Sequence, residues 1–249
     1  MRRDMVKRKA GVSAMIVIYG TRDYGEVDSY GGQRQLTRFF HIYWVPLVPV
    51  GTTWVTRDVD NGYRGHAVAL SARSVVAGYA RVWGPVAAIG AVIAGSVGGL
   101  VAAGGLVALS AWTWTWRSVR SARERRRSDY NQLAFGTRCD PLQMDARLAS
   151  VLQADVAERW AQVSDGNTPE DVARLGAANH AQAVLAYASL RLAARLAPGD
   201  HARSARDASE RVLDALKDVN EAALEGGPYR STVQAQLPAG FEDPGGARR

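Results

Sequence analysis

A single cysteine, Cys139, rules out an intramolecular disulfide. That excludes a secreted disulfide scaffold and fits a reducing compartment. Histidine is almost as scarce: His41, His66, His180 and His201 are the four, and none has a His, Cys, Asp or Glu at a recognisable metal-ligand spacing. Cys139 precedes a helix start, where a thiol pKa can fall, but it has no partner motif and reads as an incidental thiol. The glycine turns Gly20-Thr21-Arg22 and Gly31-Gly32-Gln33-Arg34 lack the Gly-Lys-Ser/Thr of a phosphate loop. Asp23, Glu26 and Asp28 lack calcium-loop spacing and its terminal Glu, so they read as a solvated loop. No catalytic constellation, cofactor site or metal site emerges, and the expectation is a non-enzymatic protein.

Charge is missing in one place above all. From Val82 to Trp116 there are 35 residues without a charged side chain. The mean hydropathy of -0.17 hides this block. As one helix it would run roughly 52 Å at about 1.5 Å per residue, against a hydrocarbon core of about 30 Å. Two spans fit better if the first helix starts before Arg81, near Val75, with Arg81 snorkelling to the interface. A transmembrane helical hairpin over 74–116 is therefore expected, its turn near 98–105, where the pairs Gly98-Gly99 and Gly104-Gly105 loosen a helix. A single long span and a buried soluble helix pair are the alternatives. Gly95 and Gly99 form a GxxxG pair suited to helix–helix packing, within the hairpin or between copies in a homo-oligomer. Glycine abundance alone would also produce it.

The borders of the block carry the interface signature. Trp112, Trp114 and Trp116 alternate with threonine just before Arg117, as in an aromatic belt. Arg81, the three tryptophans and Arg117 are the expected membrane-interface residues. The run from Arg117 to Arg127 then holds six arginines and one acid, and Arg120, Arg123, Arg125, Arg126 and Arg127 are expected to meet anionic headgroups. Nucleic-acid phosphate would suit the same charges, but a run abutting a Trp-rich span end meets lipid first.

Charge is also segregated along the chain. The local net is +6 over residues 1–81, +5 over 117–138 and -5 over 140–225, within an overall +7. Basic segments on both sides of the block favour an even number of spans with both ends inside. The expected location is the cell inner membrane, multi-pass, with both termini cytoplasmic.

Residues 1–13 form a basic leader, and Met15 is an alternative start. Only a brief apolar stretch follows, with no small-residue cleavage pattern, which does not fit a signal peptide. Residues 14–70 read as a small antiparallel β domain. Met15–Tyr19, Gln35–Val45, Gly51–Thr56 and Gly65–Leu70 supply strand-like runs, Pro46 and Pro49 are breaks, and Asp60-Asn61-Gly62 is a turn. Residues 117–139 read as a basic juxtamembrane linker. Residues 140–225 read as an acidic three-helix domain, with Asp140-Pro141 and Thr168-Pro169 as helix starts, Pro198-Gly199-Asp200 as a break and Gly226-Gly227-Pro228 as the stop. Residues 226–249 form a flexible tail. The fold class is an α+β membrane protein: small antiparallel β domain, transmembrane helical hairpin, C-terminal helical bundle.

Three segments carry a resemblance: Met15-Ile16-Val17-Ile18-Tyr19-Gly20-Thr21-Arg22-Asp23-Tyr24-Gly25, Thr37-Arg38-Phe39-Phe40-His41-Ile42 and Pro46-Leu47-Val48-Pro49. Together with a Ser-x-x-Ser joint at Ser71 to Ser74, they resemble a group of uncharacterised bacterial membrane proteins with an N-terminal zinc-ribbon-like β domain. Those proteins place Cys pairs before the Phe-Phe strand and after the Pro-x-x-Pro turn, and this chain has cysteine at neither place. The resemblance covers about residues 15–80, argues against zinc here, implies a sheet held by its aromatic core and brings no activity. The reading is a membrane-anchored protein presenting cytoplasmic interaction modules to an unknown protein partner. The alternative is an oligomeric hairpin acting as a pore or transport accessory.

Overall fold

A computed structural model describes residues 18–60, 62–118 and 121–216. The leader, the tail and Arg120 lie outside the described residues. Four strands come first: β1 (Tyr19–Tyr30), β2 (Gln33–Ile42), β3 (Val45–Val59) and β4 (Gly62–Val68). They pair antiparallel in chain order as a meander. Seven helices follow among the described residues: α1 (Ala72–Ile93), α2 (Val97–Trp114), α3 (Ala122–Phe135), α4 (Ala146–Val163), α5 (Pro169–Leu175), α6 (His180–Leu196) and α7 (Gly199–Ala215). The chain is thus α+β, with a four-stranded antiparallel sheet and two helices apolar and long enough to cross a membrane.

Several local expectations change. Thr21 to Ser29 is strand, so Asp23, Glu26 and Asp28 sit on β1 rather than in a loop. Two register shifts in β1 fall around Gly25 and Asp28, both at positive φ (67° and 53°); the extra residues kink the strand as bulges do. Pro46 and Pro49 lie inside β3 rather than ending it. The β2–β3 ladder shifts register between Arg38 and Phe39 and again between Phe40 and His41, beside these prolines, which have no N–H to donate.

The hairpin turn falls at Ala94-Gly95-Ser96, ahead of the expected 98–105. Gly95 takes φ 67°, and Ser96 caps α2 by accepting from the Gly99 N–H. A left-handed glycine followed by a serine cap ends one helix and starts the next, so Gly98-Gly99 and Gly104-Gly105 remain helical.

Residues 117–139, expected as a linker, contain α3. Its second half is buried: Tyr130, Leu133, Ala134 and Phe135 join Leu152, Val156, Val184, Leu190 and Leu213 in one core. Gly136 at φ 71° ends it. The start expected at Asp140-Pro141 is a single 3-10 turn, and α4 begins after the cap Asp145. The long second helix divides at Gly176, φ 94°, into α5 and α6. The bundle therefore has α6 at its centre, with Val184, Tyr187, Ala188 and Leu192 all at 0% exposure.

Sheet and bundle are joined. Trp54 and Val68 belong to the same core as Tyr130 and Met144. Gln33 donates to Gln132 Oε1 (2.8 Å) and accepts from the Trp54 indole (2.9 Å) and the Arg138 N–H (2.8 Å). The Ala69 N–H donates to the Gln143 carbonyl at 2.7 Å, extending the sheet edge. Two surfaces read separately from the sequence thus form one continuous body.

The buried sheet face is only partly aromatic. Phe39 is fully buried, edge-on to Tyr24 (5.8 Å) and Tyr79 (5.1 Å). Around it are polar residues: Gln35, Thr37, Thr52 and His66. His66 is buried, its Nε2 has no hydrogen-bond partner among the described residues, and burial lowers its pKa to about 4. Between pH 6.5 and about 4 the unfolded chain binds a proton that the folded chain refuses. Stability should therefore fall as pH drops through that window, by up to about 3 kcal/mol, and level off below it. Urea unfolding across this range checks it, and His66→Gln should remove that contribution to the pH dependence.

Candidate membrane interface

Two long helices leave the sheet at Ser71, whose side chain accepts from the Ser74 N–H to cap α1. The hairpin they form is apolar outside and small or polar inside. Ile89 (62%), Ile93 (79%), Val97 (80%) and Val101 (73%) face outward, whereas α2 buries Ala103, Ser110 and Thr113. Close approach needs glycine at two points. A Cβ at Gly99 would lie 2.4 Å from the Ala91 carbonyl oxygen, and one at Gly84 would lie 3.1 Å from Ser110 Cβ. Gly99 thus packs helix on helix within the hairpin. Gly95, its expected partner on the same face, is instead the turn residue.

At the open end of the hairpin a collar of arginine, tryptophan and acid ties both helices to β1. Arg81 on α1 donates to the Glu26 carbonyl (2.8 Å) and to the Thr113 carbonyl (2.5 Å), and lies 5.0 Å from the Trp114 ring centroid. Arg117 covers the same ring at 5.2 Å and pairs with the Glu26 carboxylate at 2.6 Å. Trp112 and Trp116 meet edge-on at 5.0 Å, and Arg73 sits 5.5 Å from the Trp116 ring while pairing with Asp28 at 2.9 Å. Burial pushes the Asp28 carboxyl up, and Arg73 works against that. Arg81, Trp112, Trp114, Trp116 and Arg117 are thereby brought into one cluster. The acids of β1 and Arg73 complete it; they went unseen in the sequence because Glu26 and Asp28 read as loop.

The remaining arginines divide. On α3, Arg127 pairs with Glu210 of α7 at 2.8 Å, and Arg123 reaches Glu210 (3.1 Å) and Asp214 (2.9 Å). Arg125 is exposed and Arg126 half-buried. Glu210 also receives Arg191 of α6 at 2.8 Å, and Arg191 holds Asp140 at 2.5 Å with its own side chain 1% exposed. Burial alone would raise the Glu210 carboxyl, but Arg127, Arg191 and Arg123 bring it below its ordinary value. Part of the basic run is thus paired within the protein, between α3 and α7. Cys139 is fully buried, and burial with the Asp140 charge pushes its thiol well up, away from reactivity.

Fold and collar define an α+β protein built around an exposed apolar helical hairpin with charged and aromatic residues at its mouth. Compared with known proteins, the chain matches no family model, no curated protein and no solved structure.

Proposed function

We propose that the protein is a non-enzymatic anchor of the bacterial inner membrane. The hairpin α1–α2 sits in the bilayer, and the joined sheet and bundle stand on the cytoplasmic side as an interaction platform for a protein partner. One observation carries the reading. The core helix of a soluble protein is mostly buried, whereas only 22% and 17% of the apolar windows of α1 and α2 are buried. Their outward valines, leucines and isoleucines are exposed along both helices, the kind of apolar surface that marks a membrane or protein contact. The collar supplies a tryptophan and arginine boundary, and the basic flanks favour both ends on the same, inner side. Arg117 and Arg125 are exposed, and with Arg120, outside the described residues, they are the cations offered to anionic headgroups.

Gly90, Gly98, Gly104 and Gly105 have open space where a Cβ would be, which leaves room for a second hairpin of the same kind. A pore is less favoured: Ser96 caps α2 and Ser110 packs on Gly84, so these hydroxyls work inside the hairpin.

The test combines extraction and topology. The full chain should stay with membranes through an alkaline carbonate wash, and a triple variant Val86→Lys, Ile89→Lys, Val107→Lys, at outward positions in the middle of the two helices, should be released, since each lysine at a span centre costs about 2.5–3.5 kcal/mol. Reporters fused to either end should both read cytoplasmic. Release of the unsubstituted chain would reject the anchor, and reporters on opposite faces would reject the hairpin.

A further inference from the structure

The β2–β3 turn is made of the wrong residues for a turn. Ile42 pairs with Val45, leaving a two-residue loop, Tyr43-Trp44, with φ of 48° and 63°. Such loops favour Asn-Gly, because residues with a Cβ resist positive φ. Aromatic side chains kept in that conformation point to a use outside the chain. Their neighbours share the property. Tyr43 (41%), Trp44 (53%), Leu47 (39%), Val48 (57%) and Val50 (60%) are exposed, and no Asp, Glu, Lys or Arg occurs between Arg38 and Arg57.

The position of this tip follows from a ladder of contacts between β2, β3 and α1. Thr37 Oγ1 donates to Ser74 Oγ at 2.7 Å. Phe39 packs where a Cβ on Gly78 would lie 2.8 Å from its ring. Tyr79 donates to the Leu47 carbonyl at 2.6 Å, and the Trp83 indole donates to the Pro46 carbonyl at 3.1 Å. β2 therefore runs alongside α1 in the same direction, toward the closed end of the hairpin. Pro46 is paired with His41, and the two residues from there to the turn add about 7 Å at roughly 3.3 Å per residue. Trp83 itself stands about 3 Å beyond Arg81. The tip thus reaches about 10 Å past the level of Arg81 and Thr113, comparable to the 5–10 Å to which interfacial elements sink into the headgroup and acyl boundary.

Helix length moves it the same way. From Arg81 to Ala94, α1 rises only about 20 Å, short of a core about 30 Å thick. A hairpin that crosses with its collar at the headgroups therefore thins the bilayer around it, and the tip, about 10 Å further in, meets the acyl boundary.

We infer that the β2–β3 tip is a second membrane-contacting element: Tyr43, Trp44, Leu47, Val48 and Val50 insert into the lipid beside α1 and fix the depth and tilt of the platform. This rests on the anchor reading, and the experiment separates the two. Full-length Trp44→Cys, Val48→Cys and Val50→Cys, each carrying an environment-sensitive fluorophore, are placed in phosphatidylethanolamine–phosphatidylglycerol vesicles containing lipids spin-labelled high or low on the acyl chain. Ile93→Cys reports the hairpin and Arg64→Cys the far end of the sheet. The unsubstituted chain, whose Cys139 is 0% exposed, controls for background labelling. The expected result is loss of emission at 44, 48 and 50 with the high spin label, at Ile93→Cys with a lipid spin label, and at Arg64→Cys with aqueous iodide only. Three sites spread over the tip guard against one substitution disturbing the turn. Tip labels quenched like Arg64→Cys, with Ile93→Cys quenched by lipid, would overturn the inference and leave the anchor standing. If Ile93→Cys is also untouched by the lipid labels, the anchor fails and the inference with it.

Discussion

Replacing Arg191 with alanine should destabilise the protein by about 3–5 kcal/mol, the cost of stripping one partner from a buried charge cluster. The guanidinium is 1% exposed and bridges three elements: Asp140 in the loop before α4 at 2.5 and 3.0 Å, and Glu210 of α7 at 2.8 Å, from its own seat on α6. Burial alone would favour losing its proton, but Asp140 and Glu210 hold its pKa above the usual value. Remove it and two carboxylates, 17% and 21% exposed, face each other with less compensation. Arg127 and Arg123 still reach Glu210, whereas Asp140 loses a bidentate partner and keeps its cap on the Leu142 N–H. The triple variant Arg191→Met, Asp140→Asn, Glu210→Gln should lose less than Arg191→Ala alone, because it leaves no uncompensated carboxylate. Urea unfolding in detergent, followed by the helical circular-dichroism signal, measures both. A loss under about 1 kcal/mol for Arg191→Ala, the range of solvent-exposed pairs, would show that the cluster is hydrated and not structural.

The same cluster explains which parts of the chain could be read without coordinates. The uncharged block announced the hairpin because absence of charge is a property of composition and needs no partner. The turn within it depended on one backbone angle, at Gly95, and on one hydroxyl, at Ser96. Four glycines nearby offered equal looseness and no way to choose between them. The arginine run looked like a solvated or lipid-facing stretch because its acids, Glu210 and Asp214, lie some 80–90 residues further on. The helix α3 was hidden for the same reason: its first six residues are all Ala, Arg or Glu, and its buried apolar part is confined to Tyr130, Leu133, Ala134 and Phe135. On the sheet, Glu26 and Asp28 read as loop since alternation fails across the two bulges of β1. The collar was half legible. Arg81, the tryptophans and Arg117 showed in the sequence, and the acids that organise them did not.

Those bulges make the second large effect. Gly25→Ala should cost about 2–5 kcal/mol, from two sources that add. Gly25 has φ 67°, where a residue with a Cβ loses about 1–2 kcal/mol. A Cβ there would also lie 2.0 Å from the Ser74 carbonyl oxygen and 3.0 Å from the Gly78 nitrogen. Both are backbone atoms of α1, so relief requires the helix to move off the sheet, an overpacking cost of about 1–3 kcal/mol. The contact is clamped from the other side by a buried hydroxyl chain. Thr52 meets Thr37 at 2.8 Å, Thr37 donates to Ser74 at 2.7 Å, and Ser74 donates to the Gly25 carbonyl at 2.5 Å. Gly32→Ala is the control: it has φ 76° but open space around the Cβ, so it should cost only the conformational part, about 1–2 kcal/mol. Ser74→Ala should cost about 1–3 kcal/mol by leaving the Gly25 carbonyl unpaired, and combining it with Gly25→Ala should cost less than the two singly because they break one shared contact. Denaturant midpoints of the four variants give the ranking. Equal losses at Gly25 and Gly32 would mean that α1 parts from β1 without resistance, and that the sheet is not fixed to the hairpin where the hydroxyl chain joins them.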